Sequence, residues 1–205
     1  MTTISIIGSG TMAKAIGIRA AKHGHAIEIM SRNADKAQAL AGEIGLGATV
    51  GAYGARPAGD IVIVAVLYQS AVDVIAHYGD ARAGKILVDI THPVNADGPA
   101  VVTTVGHSVS QQIAAAAPEG THVVKALNTV FGHVIAEDSP LDVFYAGDSA
   151  EAKARAADFL TSLGMRPLDV GGLEMTYVVE WAAILLMGLA RNGAGFNVTL
   201  GADIH

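Results

Sequence analysis

A glycine-rich segment near the amino terminus has the spacing of a phosphate-binding turn. Gly8-Ser9-Gly10-Thr11-Met12-Ala13 follows the apolar run Ile4–Ile7 and opens a stretch of helical character. In this context Gly8 permits a tight turn, Gly10 lets the backbone approach a pyrophosphate, and Ala13 lets the helix pack closely on the strand. The free N–H groups at the helix start bind the anion. The pattern predicts a dinucleotide site, with a glycine-rich turn without ligand as the alternative.

The residues that follow the second apolar run bear on the choice between NAD and NADP. Ala26–Met30 ends in Ser31, Arg32 and Asn33, with no carboxylate at the tip, and Glu28 lies too early to reach a ribose. A carboxylate at the tip would bind the ribose 2′-OH of NAD and repel a 2′-phosphate. Ser31 can donate a hydrogen bond, Arg32 a charged fork, and Lys36 follows one turn into the next helix. This combination predicts NADP(H).

Three further loops are expected at the same edge of the predicted sheet, where ligands of such sheets bind. They offer hydroxyl, amide and imidazole groups around an apolar floor, a lining suited to a nicotinamide and a second planar ring. The expected lining residues are Val66, Leu67, Tyr68, Thr91 and Asn128.

His92 is the candidate general acid or base, because it follows a predicted central strand. The alternative is a loop histidine that only bonds the backbone beside Pro93. His133 could approach the site or face solvent, and no histidine pair has the helical spacing of a metal site. The remaining histidines are expected to face solvent: His23, His25, His77, His107 and His122. A site this poor in acid–base groups favours direct hydride transfer, for which the cofactor supplies the chemistry and the protein the alignment.

Short apolar runs alternate with Ala-rich helical stretches along the chain, a pattern typical of βαβ units. Most runs do not alternate with polar residues, as expected of parallel strands buried on both faces. The predicted fold class is α/β, a Rossmann-type doubly wound parallel sheet with a small C-terminal helical part. The predicted strands are Ile4–Ile7, Ala26–Met30, Ile61–Val66, Ile86–Ile90, Val123–Ala126 and Val143–Ala146. The predicted helices are Thr11–His23, Asp35–Gly42, Gln69–Ala76, Ser108–Ala117 and Ala150–Leu163, and Asp97–His107 is expected to be a loop.

Composition excludes several other classes of protein. The 205 residues include no Cys, which removes disulfide scaffolds, Cys-ligated metals and thiol nucleophiles. A formal charge of −6 argues against nucleic acid and anionic membranes as partners. Mean hydropathy is +0.42, but the most apolar stretch, Val178–Ala190, is shorter than the ~20 residues that cross a bilayer. With no signal-peptide pattern at the N-terminus, we expect a soluble, cytoplasmic protein.

The C-terminal region carries one long helical candidate, Leu173–Ala190, which is apolar on nearly all sides. Such a helix must be buried, either in its own core or against a second subunit. We expect an NADP-binding Rossmann domain over residues 1–147. Residues 148–205 are expected to complete the sheet and to form the helix of a homodimer.

Four segments together resemble those of the NADPH-dependent deazaflavin (coenzyme F-420) reductases, a group related to the cytosolic oxidoreductase domain of the STEAP metalloreductases. The segments are Gly8–Ala13, Ser31–Asn33 with Lys36, Val124–Val130 and Arg166–Gly171. The resemblance spans nearly the whole chain. It implies a homodimer and hydride transfer from NADPH to C5 of the deazaflavin.

The resemblance also implies roles for individual residues. It places Ser9, Thr11 and Met12 along the pyrophosphate, Ser31, Arg32 and Lys36 at the 2′-phosphate, and Val66 and Leu67 beside the adenosine and nicotinamide. The acceptor side departs from the family pattern, because Thr91–Asn95 stands where a Pro-rich hydrophobic loop is expected. A flavin, a quinone or a metal chelate therefore remains open as acceptor. Two other classes remain open: an NADP(H)-binding sensor without turnover, and a small-molecule dehydrogenase of the imine or β-hydroxyacid type, although no catalytic Lys is evident.

Overall fold

Six parallel strands form the central sheet of the structure, a computed structural model that describes residues 2–95, 98–101 and 103–205. Its strands are β1 (Thr3–Ile7), β2 (Ala26–Met30), β3 (Thr49–Gly51), β4 (Ile61–Val64), β5 (Ile86–Asp89) and β8 (His122–Lys125). The sheet has the order β3-β2-β1-β4-β5-β8, and all of its pairings are parallel. The order reverses between β1 and β4, which is the arrangement of a doubly wound dinucleotide-binding sheet. The predicted fold class is confirmed.

Helices cover both faces of this sheet. They are α1 (Thr11–Lys22), α2 (Ala34–Ile44), α3 (Tyr68–Tyr78), α4 (Val109–Ala116), α5 (Gly132–Ala136), α6 (Ala150–Ser162) and α7 (Thr176–Leu189). Successive strand residues point to opposite faces, so Ile4 and Ile6 join one core cluster while Ile7 and Val64 join the other. The absence of polar alternation in these strands follows from this double burial.

Several strands and turns differ from the sequence-based expectation. Four predicted strands end earlier than expected. The strand predicted to end at Val66 ends at Val64, and those predicted to end at Ile90, Ala126 and Ala146 each end one residue earlier. The edge strand β3 was missed: it has only three residues, two of them exposed. The expected loop Asp97–His107 contains a hairpin strand, β7 (Gly98–Val101), which pairs with β6 (Val94–Asn95). Asp97 itself lies outside the described residues.

Residues 148–205 were expected to complete the central sheet, but they do not. Their strand β10 (Met165–Asp169) pairs instead with β9 (Leu141–Tyr145) in a separate two-stranded parallel sheet. That pair joins the central sheet at an antiparallel bridge between Lys125 and Ala146. The sequence pattern identified most of β9, while β10 was missed because Arg166, Pro167 and Asp169 interrupt its apolar character.

The apolar C-terminal helix is longer than the expected Leu173–Ala190. A 3-10 turn precedes α7 and a π-helical turn follows it, so helical structure runs over Leu173–Ala194, 22 residues. By length and composition this segment could cross a membrane, a test that core helices of soluble proteins also pass. One face packs inward through Val179, Ala183 and Leu186. The opposite face is exposed.

Candidate functional site

The turn between β1 and α1 has the geometry that a phosphate-binding loop requires. Gly8 has a φ of +133°, and its N–H donates to the Met30 carbonyl at 2.8 Å. A Cβ at Gly8 would lie 2.1 Å from the Ala65 carbonyl oxygen, so only glycine fits there. A Cβ at Gly10 would meet nothing within 4 Å. Gly10 caps α1 without a side-chain bond, which leaves the first N–H groups of the helix available to an anion.

A cleft of about 430 Å³ opens over this turn, at the carboxyl ends of β1, β2, β4 and β5. It lies at the point where the strand order reverses, which is where doubly wound sheets bind their ligands. The cleft brings together most of the predicted site residues: Gly8, Ser9, Gly10, Thr11, Met12, Ser31, Arg32, Val66, Leu67, Tyr68, Thr91 and His92.

Two hydroxyl groups face each other where β1 and β2 end. Ser9 Oγ lies 3.1 Å from Ser31 Oγ, and Ser31 Oγ also accepts from the Asn33 N–H at 3.3 Å. Arg32, an exposed residue, lines the same cleft, and no described residue of the lining is acidic. Glu28 faces away, since its carboxylate accepts from Ser5 Oγ and from the Ala58 N–H. This corner of the cleft therefore presents hydroxyl groups and a basic residue, and none of the described residues that line the cleft carries a carboxylate.

Lys36 lies in a neighbouring depression and not in the cleft. It shares that depression with Ser9, Gly10 and Thr11, which line both cavities, and with the ion pair between Lys14 and Glu43. The backbone N–H of Lys36 donates to the Asn33 side chain that caps α2. Lys36 therefore lies next to the phosphate-binding turn but outside the cleft.

Tyr53 lines the cleft and was missed by the sequence analysis. Its ring stacks on His77, with centroids 4.7 Å apart and planes 16° from parallel. Gly54 permits this stack, because its φ is +87° and a Cβ there would lie 2.7 Å from His77 Nε2. Tyr53 follows the short edge strand β3, so nothing in the sequence placed it at the rim of the sheet.

His92 follows the carboxyl end of β5 and lines the part of the cleft next to that strand. Burial lowers the pKa of His92, and the charge of Lys125 lowers it further, while Asp89 acts in the opposite direction. The imidazole is therefore neutral near pH 7, and it can hydrogen-bond or accept a proton but is a poor proton donor. Thr91, its neighbour, is buried and shares the lining.

Three charged side chains lie buried beside this end of the cleft, and they were not among the predicted site residues. Asp89, Lys125 and Glu180 are each 0% exposed, with Lys125 Nζ 2.9 Å from Asp89 Oδ2 and 3.2 Å from Glu180 Oε1. Burial raises the pKa of Glu180. In the sequence, each of them is a charged residue within an otherwise apolar segment. Asp89 and Lys125 are the last residues of buried strands, and Glu180 interrupts an apolar helix.

The structure does not bring Asn128 into the cleft. Asn128 is buried, and its Nδ2 donates to the Val179 carbonyl of α7 at 2.9 Å. His133 is exposed and its Nε2 lies 2.9 Å from the Phe196 carbonyl oxygen. The prediction that His25 faces solvent is wrong, because it is buried against Phe159 and bonds Ser162 Oγ.

Comparison with known proteins identifies the relatives of this chain. The family model described as "NADP oxidoreductase coenzyme F420-dependent" matches residues 3–93, a span that includes the phosphate-binding turn and His92. An F420-dependent NADP reductase of Methanothermobacter thermautotrophicus is 28% identical over an alignment 218 residues long, gaps included. The alignment covers 96% of this chain and 94% of that protein. The resemblance to the F420-dependent NADP reductases is confirmed.

Three further proteins match the chain over different shares of their own length. The metalloreductase STEAP3 of Rattus norvegicus is 27% identical over 90% of this chain, but the chain spans only 37% of STEAP3. The structure of a candidate F420-dependent NADP reductase from Arthrobacter sp. FB24 superposes with a TM-score of 0.85, at 24% identity, over 98% of this chain and all of that one. An imine reductase of Myxococcus stipitatus has the same fold, with a TM-score of 0.71 at 20% identity over 95% of this chain and 63% of that one.

Proposed function

We propose that this protein is an NADP(H)-dependent oxidoreductase that transfers a hydride between NADPH and a deazaflavin or flavin-like acceptor. The observation that carries the proposal is the cleft at the reversal of strand order, with a phosphate-binding turn at its base and a basic corner free of described carboxylates. The class of reaction agrees with the relatives, which are named as an NADP reductase and a metalloreductase.

The residues of the cleft fit the parts of an NADP molecule in order along its length. The N–H groups at the start of α1 bind the pyrophosphate, and a phosphate can approach the backbone because Gly10 leaves open space. Ser31 and Arg32 bind the 2′-phosphate, while the ring of Tyr53, supported from behind by His77, offers a face on which the adenine stacks. The nicotinamide end of the molecule then contacts the remaining lining residues, Val66, Leu67, Thr91 and His92.

At that end the protein supplies alignment more than acid–base chemistry. When bound, NADPH supplies the hydride from C4 of its nicotinamide. The chain holds a neutral imidazole at His92, and apolar residues such as Val66 and Ile90 line the same cleft. Alignment of two bound rings is itself a large source of rate enhancement, because it removes the entropy of bringing the reactants together.

The direct test mixes the purified protein with NADPH and a panel of acceptors: a deazaflavin, free flavins, a quinone and a ferric chelate. Oxidation of NADPH, followed by absorbance, is expected with the deazaflavin or a flavin. Tight NADPH binding without oxidation of any acceptor would contradict the enzyme and favour an NADP(H)-binding sensor. The Arg32→Ala variant serves as the control, since it lowers turnover at limiting NADPH only if the cleft is the site.

We also propose that the protein acts as a homodimer in the cytoplasm, with the exposed face of α7 as the interface. That face consists of Val178, Trp181, Leu185 and Leu189, which are 37–60% exposed. Their spacing of three, four and four residues places them on one side of the helix, and a second copy offers the same apolar stripe in return. Covering this stripe with another subunit removes the need for a membrane around α7.

A further inference from the structure

A cluster of buried charges lies beneath the Thr91–His92 segment of the cleft. It consists of Asp89 at the end of β5, Lys125 at the end of β8 and Glu180 on α7. All three are fully buried, and none takes a direct part in the binding described above. A buried ion cluster of this kind is seldom the most stable choice, because well-packed apolar residues often serve stability as well or better. Its position next to the cleft suggests another role.

Lys125 is bonded in three directions. Its ammonium donates to Asp89 Oδ2 at 2.9 Å and to Glu180 Oε1 at 3.2 Å. Its third bond goes to the Thr91 carbonyl oxygen. That carbonyl belongs to the peptide group that joins Thr91 to His92, so the lysine holds the peptide that carries the His92 side chain.

The carboxylates of the cluster complete this hold on the backbone. Asp89 Oδ1 accepts from the Thr91 N–H at 2.9 Å, so both backbone polar groups of Thr91 are bound by the cluster. Asp89 Oδ2 also accepts from Ser110 Oγ at 2.6 Å, and Glu180 Oε1 accepts from the Val109 N–H at 2.9 Å. These bonds anchor the cluster to the start of α4 and to α7. The segment before His92 is thereby fixed to three elements outside its own strand.

We propose that Lys125 is a positioning residue, which fixes the Thr91–His92 peptide and so sets the place of His92 at the nicotinamide end of the cleft. The inference rests on the proposed function for its catalytic consequence, but not for its structural one. The clamp leaves the phosphate-binding turn and the basic corner untouched, because these lie at the ends of β1 and β2. Loss of the clamp should therefore affect hydride transfer far more than cofactor affinity.

The test uses the double variant Lys125→Met/Glu180→Gln. Methionine preserves much of the lysine's shape without a donor, and the second change removes one negative charge, so the net charge of the cluster with ionised carboxylates is unchanged. The matched control is Lys85→Met, which removes another buried lysine just before the opposite end of β5, where it pairs with Asp60 at 3.3 Å. Thermal melting establishes that both variants fold.

We expect the single-turnover rate of hydride transfer to fall by about tenfold to a hundredfold in the double variant, because a small misplacement near the reacting atoms has an effect of that size. The affinity for NADP⁺ should stay near that of the unchanged protein, and the control should alter neither quantity. A rate that stays unchanged in the folded double variant would overturn the proposal. So would a parallel loss of rate and affinity, because a general structural defect lowers both.

A second readout is independent of turnover. NMR signals of the His92 ring, assigned by their loss in His92→Gln, should shift and broaden in the double variant and not in Lys85→Met. If the unchanged protein oxidises no acceptor, the proposed function fails while this measurement still tests the clamp. His92 ring signals that coincide in the unchanged and double-variant proteins would refute it.

Discussion

At the scale of single residues, cofactor choice depends on the corner where Ser9 Oγ and Ser31 Oγ lie 3.1 Å apart beside Arg32. Arg32→Ala removes a charge-assisted fork, a loss that weakens NADPH binding by about tenfold to a hundredfold. NADH lacks the 2′-phosphate, so its binding should hardly change. Fluorescence titration with both nucleotides measures the difference. Arg155→Ala is the control, since Arg155 pairs with Asp60 away from the cleft; an equal loss for both nucleotides would show that Arg32 does not contact the 2′-phosphate.

The charge state of His92 gives a second prediction at this scale. Burial lowers its pKa below the ordinary 6.5, so the ring is half protonated only at a pH below that value. If the neutral ring is the active form, hydride transfer declines on the acid side, with the midpoint of the decline below pH 6.5. The acid limb should disappear in His92→Gln. A limb that persists in this variant, or one that begins above the ordinary pKa, would assign it to another group.

Individual residues were predictable where strand ends determine their position. Ser31, Arg32, Thr91 and His92 line the cleft because each follows a strand that the apolar pattern identifies. Asn128 follows such a strand too, but its amide turns to the Val179 carbonyl, a contact with a helix 51 residues further along the chain. The roles of Lys125, Asp89 and Glu180 depend on contacts between distant segments in the same way, and no local spacing encodes them.

At the scale of elements, the β1–α1 turn contains two glycines with different roles: Gly8 is needed for folding of the turn and Gly10 for the approach of a phosphate. Gly8→Ala forces a Cβ to 2.1 Å from the Ala65 carbonyl oxygen at a positive φ, so we expect a marked loss of thermal stability. Gly10→Ala meets no atom within 4 Å and should lower stability only by about 1 kcal/mol or less, as a poorer helix cap. It should nevertheless weaken NADP⁺ binding, because its Cβ occupies space that the pyrophosphate uses.

Calorimetry and nucleotide titration of the two glycine variants distinguish these effects. Gly10→Ala with unimpaired NADP⁺ binding would show that no phosphate approaches the turn. Gly8→Ala with the unchanged melting temperature would show that the turn does not have the geometry described.

Elements with continuous apolar strands were the most predictable part of the fold. β2 was predicted at its observed bounds, Ala26–Met30, because both of its ends are apolar and its one polar residue, Glu28, lies at its centre. β3, at the sheet edge, and β10, in a separate pair, were missed because exposed or charged positions break the apolar run. Pairing between distant strands, not local composition, determines them.

At the scale of the whole molecule, the exposed stripe on α7 predicts a dimer. Leu185 is its most exposed member at 60%, and Leu185→Glu would place two charges in a two-fold apolar interface. Light scattering at micromolar concentration should give a dimer for the unchanged protein and a monomer for the variant. Leu46→Glu, which changes an exposed leucine on the turn after α2, should leave the dimer intact. A monomeric unchanged protein, or one that partitions into lipid vesicles, would refute the interface.

The central claim is that this chain aligns NADPH with an acceptor ring for direct hydride transfer. The most direct measurement is a single turnover with the deazaflavin and NADPH that carries deuterium at nicotinamide C4, prepared in each of the two stereochemical forms. The account predicts that one form delivers its deuterium to C5 of the reduced deazaflavin, with a slower transfer than the unlabelled cofactor. NADPH oxidation that leaves no deuterium on the deazaflavin with either form, or no oxidation at all, would contradict it.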